Sequence, residues 1–439
     1  MKGHVARRWK QFVVAGAMAA LVAGMGSTLP SAYAGGTIKA DDDKWISIGM
    51  GIRTSFNSIE NGALNGHAYS NEFTINNARI YINGQIHKYV KFEFNTDCFN
   101  CNIVGTQQIG GGTGFGANSS IGLLDAIGKF EFNEMVNIWV GRMLLPSERG
   151  ELNGPFYHAT FDGFRTPLFP ADFSGNFNAG GGGGAGLYGR DNAATFWGKI
   201  HPFGTHLLYV ATVSQGLRNG PNTSNSLMYT GRLQWNLLND EPSPGYYTAG
   251  TYYGTAGDIF AIAGNVQHQK DGAGNAGTAL GGGNFTGTNL SDFTGLSVDL
   301  LIEKVLPNNM GVFTFNGEFK RFFANYGTGA FTGATTCFCV FNGHSWTAYG
   351  LYLIPNEIGI GRFQPYVRFT SVSPLYSSMR QEFEYGVNYI ISGHNARISA
   401  YGRYGDIETK GVFGNYGPGV GGPGQGKADS FHVALQLQY

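Results

Sequence analysis

After residue 34 the chain lacks any run of about 18 uncharged apolar residues, the length a membrane-spanning helix needs. Charge is scarce: Asp, Glu, Lys and Arg make up 13% of its 439 residues. Only four residues are cysteine. No repeat of fixed period is present, which argues against a solenoid. No Gly-x-Ser-x-Gly, His-Glu-x-x-His or phosphate-loop pattern stands in a persuasive setting, so nothing argues for an enzyme, a cofactor or a metal. The 29 basic residues are matched by 29 acidic ones, and four of the basic ones (Lys2, Arg7, Arg8 and Lys10) lie in the first ten residues. That balance excludes a strongly cationic surface, and with it nucleic acid as a partner.

What the chain has in quantity is glycine, 70 residues, and aromatic side chains, at 14%. Glycine with Asn, Thr and Ser marks turns and loops; aromatics suit strands and membrane-interface girdles. The last nine residues show how they are combined. Phe431, Val433, Leu435, Leu437 and Tyr439 alternate with His432, Ala434, Gln436 and Gln438. Side chains along a strand point to opposite sides, so this strand has one apolar face and one polar or small face. Lipid cannot satisfy open backbone groups, so a spanning protein without helices is a closed barrel, its apolar face on lipid and its polar face on a wet lumen. A secreted β-sandwich is the alternative.

The N-terminus fits export. The basic head precedes an apolar run from Phe12 to about Met25, and Ala32-Tyr33-Ala34 is a small-x-small cleavage site. Residues 1–34 therefore read as a signal peptide, too short and wrongly flanked for an anchor. Arg7-Arg8 also invites a twin-arginine reading, which the need to reach the membrane unfolded opposes. Residues 35–439 form one barrel domain with no visible linker, placed in the cell outer membrane. Its lipid is one expected partner. The barrel-assembly machinery, engaging the C-terminal strand, is another.

Sixteen strands can be read from period-2 alternation. Ile46, Ile48, Met50 and Ile52 oppose Ser47, Gly49, Gly51 and Arg53. Ala78, Ile80 and Ile82 oppose Asn77, Arg79 and Tyr81, and Val90, Phe92 and Phe94 oppose Lys91, Glu93 and Asn95. Segments at 121–132, 135–144, 187–200, 205–215, 226–237 and 257–267 follow. Leu296 to Ile302 and Phe313 to Phe319 alternate similarly, and the series ends with 346–354, 362–371, 381–391, 396–408 and 429–439. The gaps alternate too. Short turns sit at His87-Lys88, Asn133-Glu134, His201 to Gly204, Pro307 to Asn309, Pro355-Asn356 and Ser392 to Asn395. Long Gly-rich segments lie at 57–72, 98–120, 145–186, 268–291, 322–345 and 409–428. Outer-membrane barrels have short periplasmic turns and long external loops. One segment fits poorly: 238–256 should be a short turn, yet it is long and holds Pro242, Pro244 and Gly245, which leaves the strand count open by two at that point.

Several patches together resemble the phosphate-selective porin O and P family. Tyr385-Gly-Val-Asn-Tyr389 with Ser392-Gly-His-Asn-Ala-Arg397 looks like its penultimate hairpin, and Gln364-Pro-Tyr-Val-Arg368 like the strand before it. Phe73 to Gly84, running on to Lys91-Phe-Glu-Phe-Asn95, looks like an early hairpin. Val140-Gly-Arg142-Met with Pro146 and Glu148 resembles the strand entering a constriction loop. The resemblance implies a 16-stranded homotrimer that passes small anions such as phosphate. The family's lysine cluster has no counterpart in this chain, which has only thirteen lysines.

Arginines on polar faces are the candidates for pore lining and anion selection: Arg53, Arg79, Arg232, Arg362, Arg368, Arg397 and Arg403. An arginine at lipid depth costs roughly 2–4 kcal/mol, so these point inward. Inward guanidiniums attract a passing anion with fork-like donors; alternatively they pair with inward Glu93, Asp299, Glu303, Glu318 and Glu384 and hold the wall together. The segment 145–186, with Glu148, Arg149, Asp162 and Arg165, is either a constriction loop folded into the pore or an ordinary surface loop. Cys98, Cys101, Cys337 and Cys339 read as disulfide candidates, within or between two external loops, with a four-thiolate metal site as the alternative. Two functions follow: a passive channel for small hydrophilic solutes, anionic or neutral, or a surface-displayed structural or adhesin barrel with an occluded lumen.

Overall fold

The computed structural model describes residues 35–41, 43–63, 65–99, 120–163, 165–167, 189–216, 225–274, 290–324, 342–375, 378–410 and 426–439. Residues 1–34, most of the Gly-rich segments, and Cys101, Cys337 and Cys339 lie outside them.

A short strand, β1 (Gly36–Lys39), precedes sixteen longer ones. These are β2 (Trp45–Ile59), β3 (Glu72–His87), β4 (Val90–Phe99), β5 (Ser120–Glu131), β6 (Asn137–Leu144), β7 (Arg190–Ile200), β8 (His206–Ser214) and β9 (Met228–Asn236), then β10 (Ile259–Gly274), β11 (Leu290–Val305), β12 (Val312–Phe323), β13 (Gly343–Leu353), β14 (Arg362–Pro374), β15 (Arg380–Ser392), β16 (Ala396–Gly405) and β17 (Ala428–Gln438). Each pairs antiparallel with its sequence neighbour, and β17 pairs with β2, so the sheet closes. Closure leaves no edge with unpaired backbone groups, the condition for a sheet in lipid. At the seam, β1 pairs with the start of β2, continuing the line of β17; Met50 and Tyr439 exchange backbone hydrogen bonds of 2.8 Å. The expected sixteen-stranded barrel is what forms.

Alternation carries over into the third dimension. On β17 His432 and Gln436 are buried inside while Leu437 is exposed on the outer wall. Met50, Val140, Val298, Phe319 and Val367 are similarly exposed, an apolar surface that suits lipid. Val298 lies midway along β11 and is 50% exposed. Val298→Arg is expected to cost about 2–4 kcal/mol, as for a cation near the bilayer midplane. Urea unfolding in lipid vesicles measures it, and a loss below the error of the fit would place this surface out of lipid.

Two features depart from a polar, wet interior. The segment between β9 and β10, expected as a tight turn, folds back inside the barrel instead. Its Pro242, Pro244 and Gly245 stop the strand, and its tyrosines pack inward: Tyr246 is fully buried, as is Thr251. The count of sixteen strands is unaffected. Secondly, part of the inner wall is apolar. Trp139, Trp197, Leu208, Val210 and Met228 enclose Tyr246 together with Leu145 and Leu152 of the long connection after β6. Across the barrel, Tyr349, Leu351, Tyr366 and Tyr401 enclose Ala159 and Phe161. Apolar residues facing a lumen are stabilised only when something covers them, and both inserted segments do so.

Candidate functional site

Beyond β6 the chain enters the barrel. A single helical turn, α1 (Arg149–Leu152), starts at Glu148, whose carboxylate accepts the Glu151 N–H at 3.2 Å. The chain then reaches the short-turn end. There the Tyr157 ring lies 5.2 Å from that of His394, in the β15–β16 hairpin, and Gly250 N–H donates to Tyr157 O at 2.9 Å. Gly51 leaves room for Phe156: a Cβ on Gly51 would lie 2.7 Å from the ring. Residues 158–163 return along β14 to β17 and β2.

An irregular segment buried in this way has carbonyls with no strand to pair with, and each requires a donor. The arginines supply them. Arg397 donates to His158 O (2.6 Å), Ala159 O (3.3 Å) and Thr160 O (3.3 Å). Arg53 donates to Phe161 O and to Asn77 Oδ1 (2.7 Å), and its guanidinium lies 4.1 Å from the Phe161 ring centre. Arg368 reaches Thr160 Oγ1 (2.8 Å), Glu384 (2.6 Å) and Asp162 O. Arg403 pairs with Asp162 (2.6 Å) and with Glu384 (2.7 Å), and Arg165 with Glu382 (2.8 Å). On the descending side Arg232 donates to Ser147 O (2.7 Å) and pairs with Asp299 (2.5 Å). Burial and three guanidiniums, Arg53, Arg397 and Arg368, hold His158 well below its ordinary range, so its imidazole is neutral.

The seven wall arginines therefore differ in situation. Arg53, Arg232, Arg368, Arg397 and Arg403 are almost wholly buried and bound to the inserted chain. Arg79 pairs with Asp97 at 2.8 Å and faces the Phe156 ring. Arg362, half-buried at the start of β14, makes no side-chain hydrogen bond or ion pair among the described residues. The inward carboxylates also divide. Glu384 bridges Arg368 and Arg403, and Glu93 pairs with Lys129. Glu303 binds backbone rather than a cation, accepting the N–H groups of Tyr252 (2.9 Å) and Gly254 (2.7 Å) in the inserted turn segment. Lys320 holds Glu148 at 2.6 Å and Glu151 at 3.1 Å.

Arg149 meets a residue that sequence reasoning missed. Glu241, from the β9–β10 segment, receives both its terminal nitrogens, at 2.6 and 2.7 Å. The available signal was composition: two Tyr-Tyr pairs, at 246–247 and 252–253, in a stretch that should have been an exposed turn. Cys98 is disulfide-bonded; the other three cysteines lie outside the described residues.

No family model and no curated protein matches the sequence. Solved structures do. An anion-selective porin from Comamonas acidovorans matches with a TM-score of 0.50 at 11% identity, over 90% of this chain and all of that one. The outer-membrane channel DcaP of Acinetobacter baumannii matches at 0.50 and 11%, over 93% and 100%. OprB of Pseudomonas putida matches at 0.50 and 11%, over 90% and 94%. At this identity the likeness is one of fold: the chain has the closed barrel of outer-membrane porins and channels.

Proposed function

We propose that this protein is an outer-membrane porin, a passive diffusion channel for small hydrophilic solutes, exported by residues 1–34 and assembled as a homotrimer. It is not an enzyme in this reading. The observation that carries it is that residues 145–163 lie across the inside of a closed barrel whose outer wall is apolar. A loop in that place restricts passage by size, and the charges around it act on what passes. Small anions such as phosphate are the proposed solutes. Arg362 supports that preference best, because its guanidinium is not already committed to another described residue. The test is reversal potential in planar bilayers under a salt gradient. Anion preference is expected, and Arg362→Ala should lower it while leaving conductance nearly intact. Arg362→Ala, Arg368→Ala together should lower it further and also alter conductance, since Arg368 holds the loop. Cation preference in the wild type would reject the anion assignment.

A second reading is favoured by a specific observation. Five buried arginines each bond to the inserted chain, and apolar cores line the interior. A structural or adhesin barrel with an occluded lumen has that same arrangement. Liposome swelling separates the two: uptake of small sugars or amino acids supports the channel, and complete impermeability supports the occluded barrel.

A further inference from the structure

We propose that the segment between β9 and β10 is a seat for the lumenal loop, and that Glu241 is the positioning residue that sets how far the loop closes the passage. The inference rests on the channel reading for its functional consequence, but not for its structural content. The two inserted segments enter from opposite ends of the barrel and meet along the descending arm of the loop. Tyr246 Oη donates to Leu144 O at 2.6 Å. Arg149 Nη1 donates to Ala249 O at 3.0 Å, and Thr248 Oγ1 donates to Asn153 Oδ1 at 2.7 Å. Gly250 N–H donates to Tyr157 O at 2.9 Å. The contacts fall on Leu144, the last residue of β6, and on residues 149, 153 and 157 of the arm, so the arm is supported along its length rather than at one point.

Glu241 organises this contact. It is 3% exposed and uses both carboxylate oxygens twice. One accepts from Arg149 Nη1 and from Tyr252 Oη (2.7 Å); the other accepts from Arg149 Nη2 and from Gln234 Nε2 (2.8 Å). Gln234 is on the wall, Tyr252 on the seat and Arg149 on the loop, so one carboxylate ties three elements together. A bidentate carboxylate–guanidinium pair fixes orientation as well as distance. The seat is in turn clamped to the wall. Glu303 accepts from Thr251 Oγ1 at 2.7 Å and from two seat N–H groups, and Asn316 Nδ2 donates to Gly250 O at 2.8 Å. The loop is thus placed against a fixed support, and Glu241 is the joint.

The experiment compares wild type with Glu241→Ala, Glu241→Gln and the charge-swapped pair Arg149→Glu, Glu241→Arg, each refolded into vesicles. Glu241→Gln keeps the volume and serves if the alanine variant fails to fold. Two readouts are taken: single-channel conductance with solute size cut-off, and hydrogen exchange of residues 149–160. Expected for Glu241→Ala is at least a twofold rise in conductance, a larger cut-off and at least tenfold faster exchange, with the swapped pair returning towards wild type. Unchanged exchange in a folded Glu241→Ala barrel overturns the proposal whatever the conductance. Faster exchange with unchanged conductance, in a barrel that conducts, leaves a seat but overturns the claim that it sets the passage. A wild type that never conducts, with faster exchange in the variant, supports the seat and rejects the channel reading instead.

Discussion

A double variant, Arg53→Ala with Arg397→Ala, is expected to let the returning arm of the loop leave the wall and to raise single-channel conductance several-fold. The two side chains together serve the carbonyls of His158, Ala159, Thr160 and Phe161. Among the described residues neither has a carboxylate partner in its hydrogen bonds; Arg53 also donates to Asn77 Oδ1 and Arg397 to Gln436 Oε1. Their work in the barrel is therefore to pair the backbone of the inserted segment. A hydrogen bond from a charged donor contributes about 1.5–3 kcal/mol, and a buried carbonyl left without one loses a comparable amount. Counting only the shortest bond each makes to a loop carbonyl, Arg53 to Phe161 O and Arg397 to His158 O, losing both arginines removes on the order of 3–6 kcal/mol of holding free energy. Moving a two-state equilibrium from 1:99 to 99:1 takes about 5.5 kcal/mol, so the double variant lies in the range where a loop that was in becomes one that is mostly out. Each single variant should shift the balance less. Planar-bilayer recording measures the effect. A double variant that folds and conducts just as the wild type does would show that the returning arm does not restrict passage.

Asp299→Ala is expected to give the largest loss of stability from a single substitution, about 3–5 kcal/mol, the cost of stranding buried charge partners. Asp299 sits on β11, 1% exposed. It accepts from Arg232 at 2.5 and 3.2 Å and from the Arg149 N–H at 3.1 Å, and Arg149 Nε lies 3.5 Å away. Its removal leaves the Arg232 guanidinium inside the barrel without its carboxylate. The double variant Arg232→Ala, Asp299→Ala should lose much less than the sum of the two singles, because no unmatched charge remains between them. Denaturant midpoints in vesicles check both statements. An Asp299→Ala midpoint within error of wild type would mean that water or another group reaches Arg232, and that the interior is wetter than the contacts imply.

Much of the fold was legible because its signals are local. Alternation with period two assigns each residue to one side of the wall. The lipid outside makes an outward charge costly enough that the inward direction of Arg53, Arg397 and Arg403 followed from sequence. Turn residues marked the short connections, and the long ones stood out by glycine content. The β9–β10 segment stood out as too long for a short turn, yet its inward course was not legible, for an equally physical reason. Its prolines and glycine say only that a strand stops; whether the chain then turns outward or inward depends on what there is to pack against. Leu208, Val210 and Ile259 supply that surface, and they belong to strands read as ordinary alternating ones.

The arginines show the same boundary from the other side. Arg362 and Arg368 occupy equivalent places in one alternating strand. Among the described residues the first has no hydrogen-bond partner for its side chain, while the second is bound to Thr160, Asp162 and Glu384. Pattern fixes direction, which is a property of the neighbouring residues. Partners are a property of the closed barrel, since Arg397 meets a carbonyl 239 residues away in the chain. A sixteen-stranded cylinder, apolar outside and arginine-bearing inside, was therefore implied by local pattern alone. The filling of that interior by two chain segments came only with closure of the sheet, which brings distant residues face to face. The carbonyls and carboxylates so brought together, from the inserted chain and from the wall, then receive most of the arginines' hydrogen bonds.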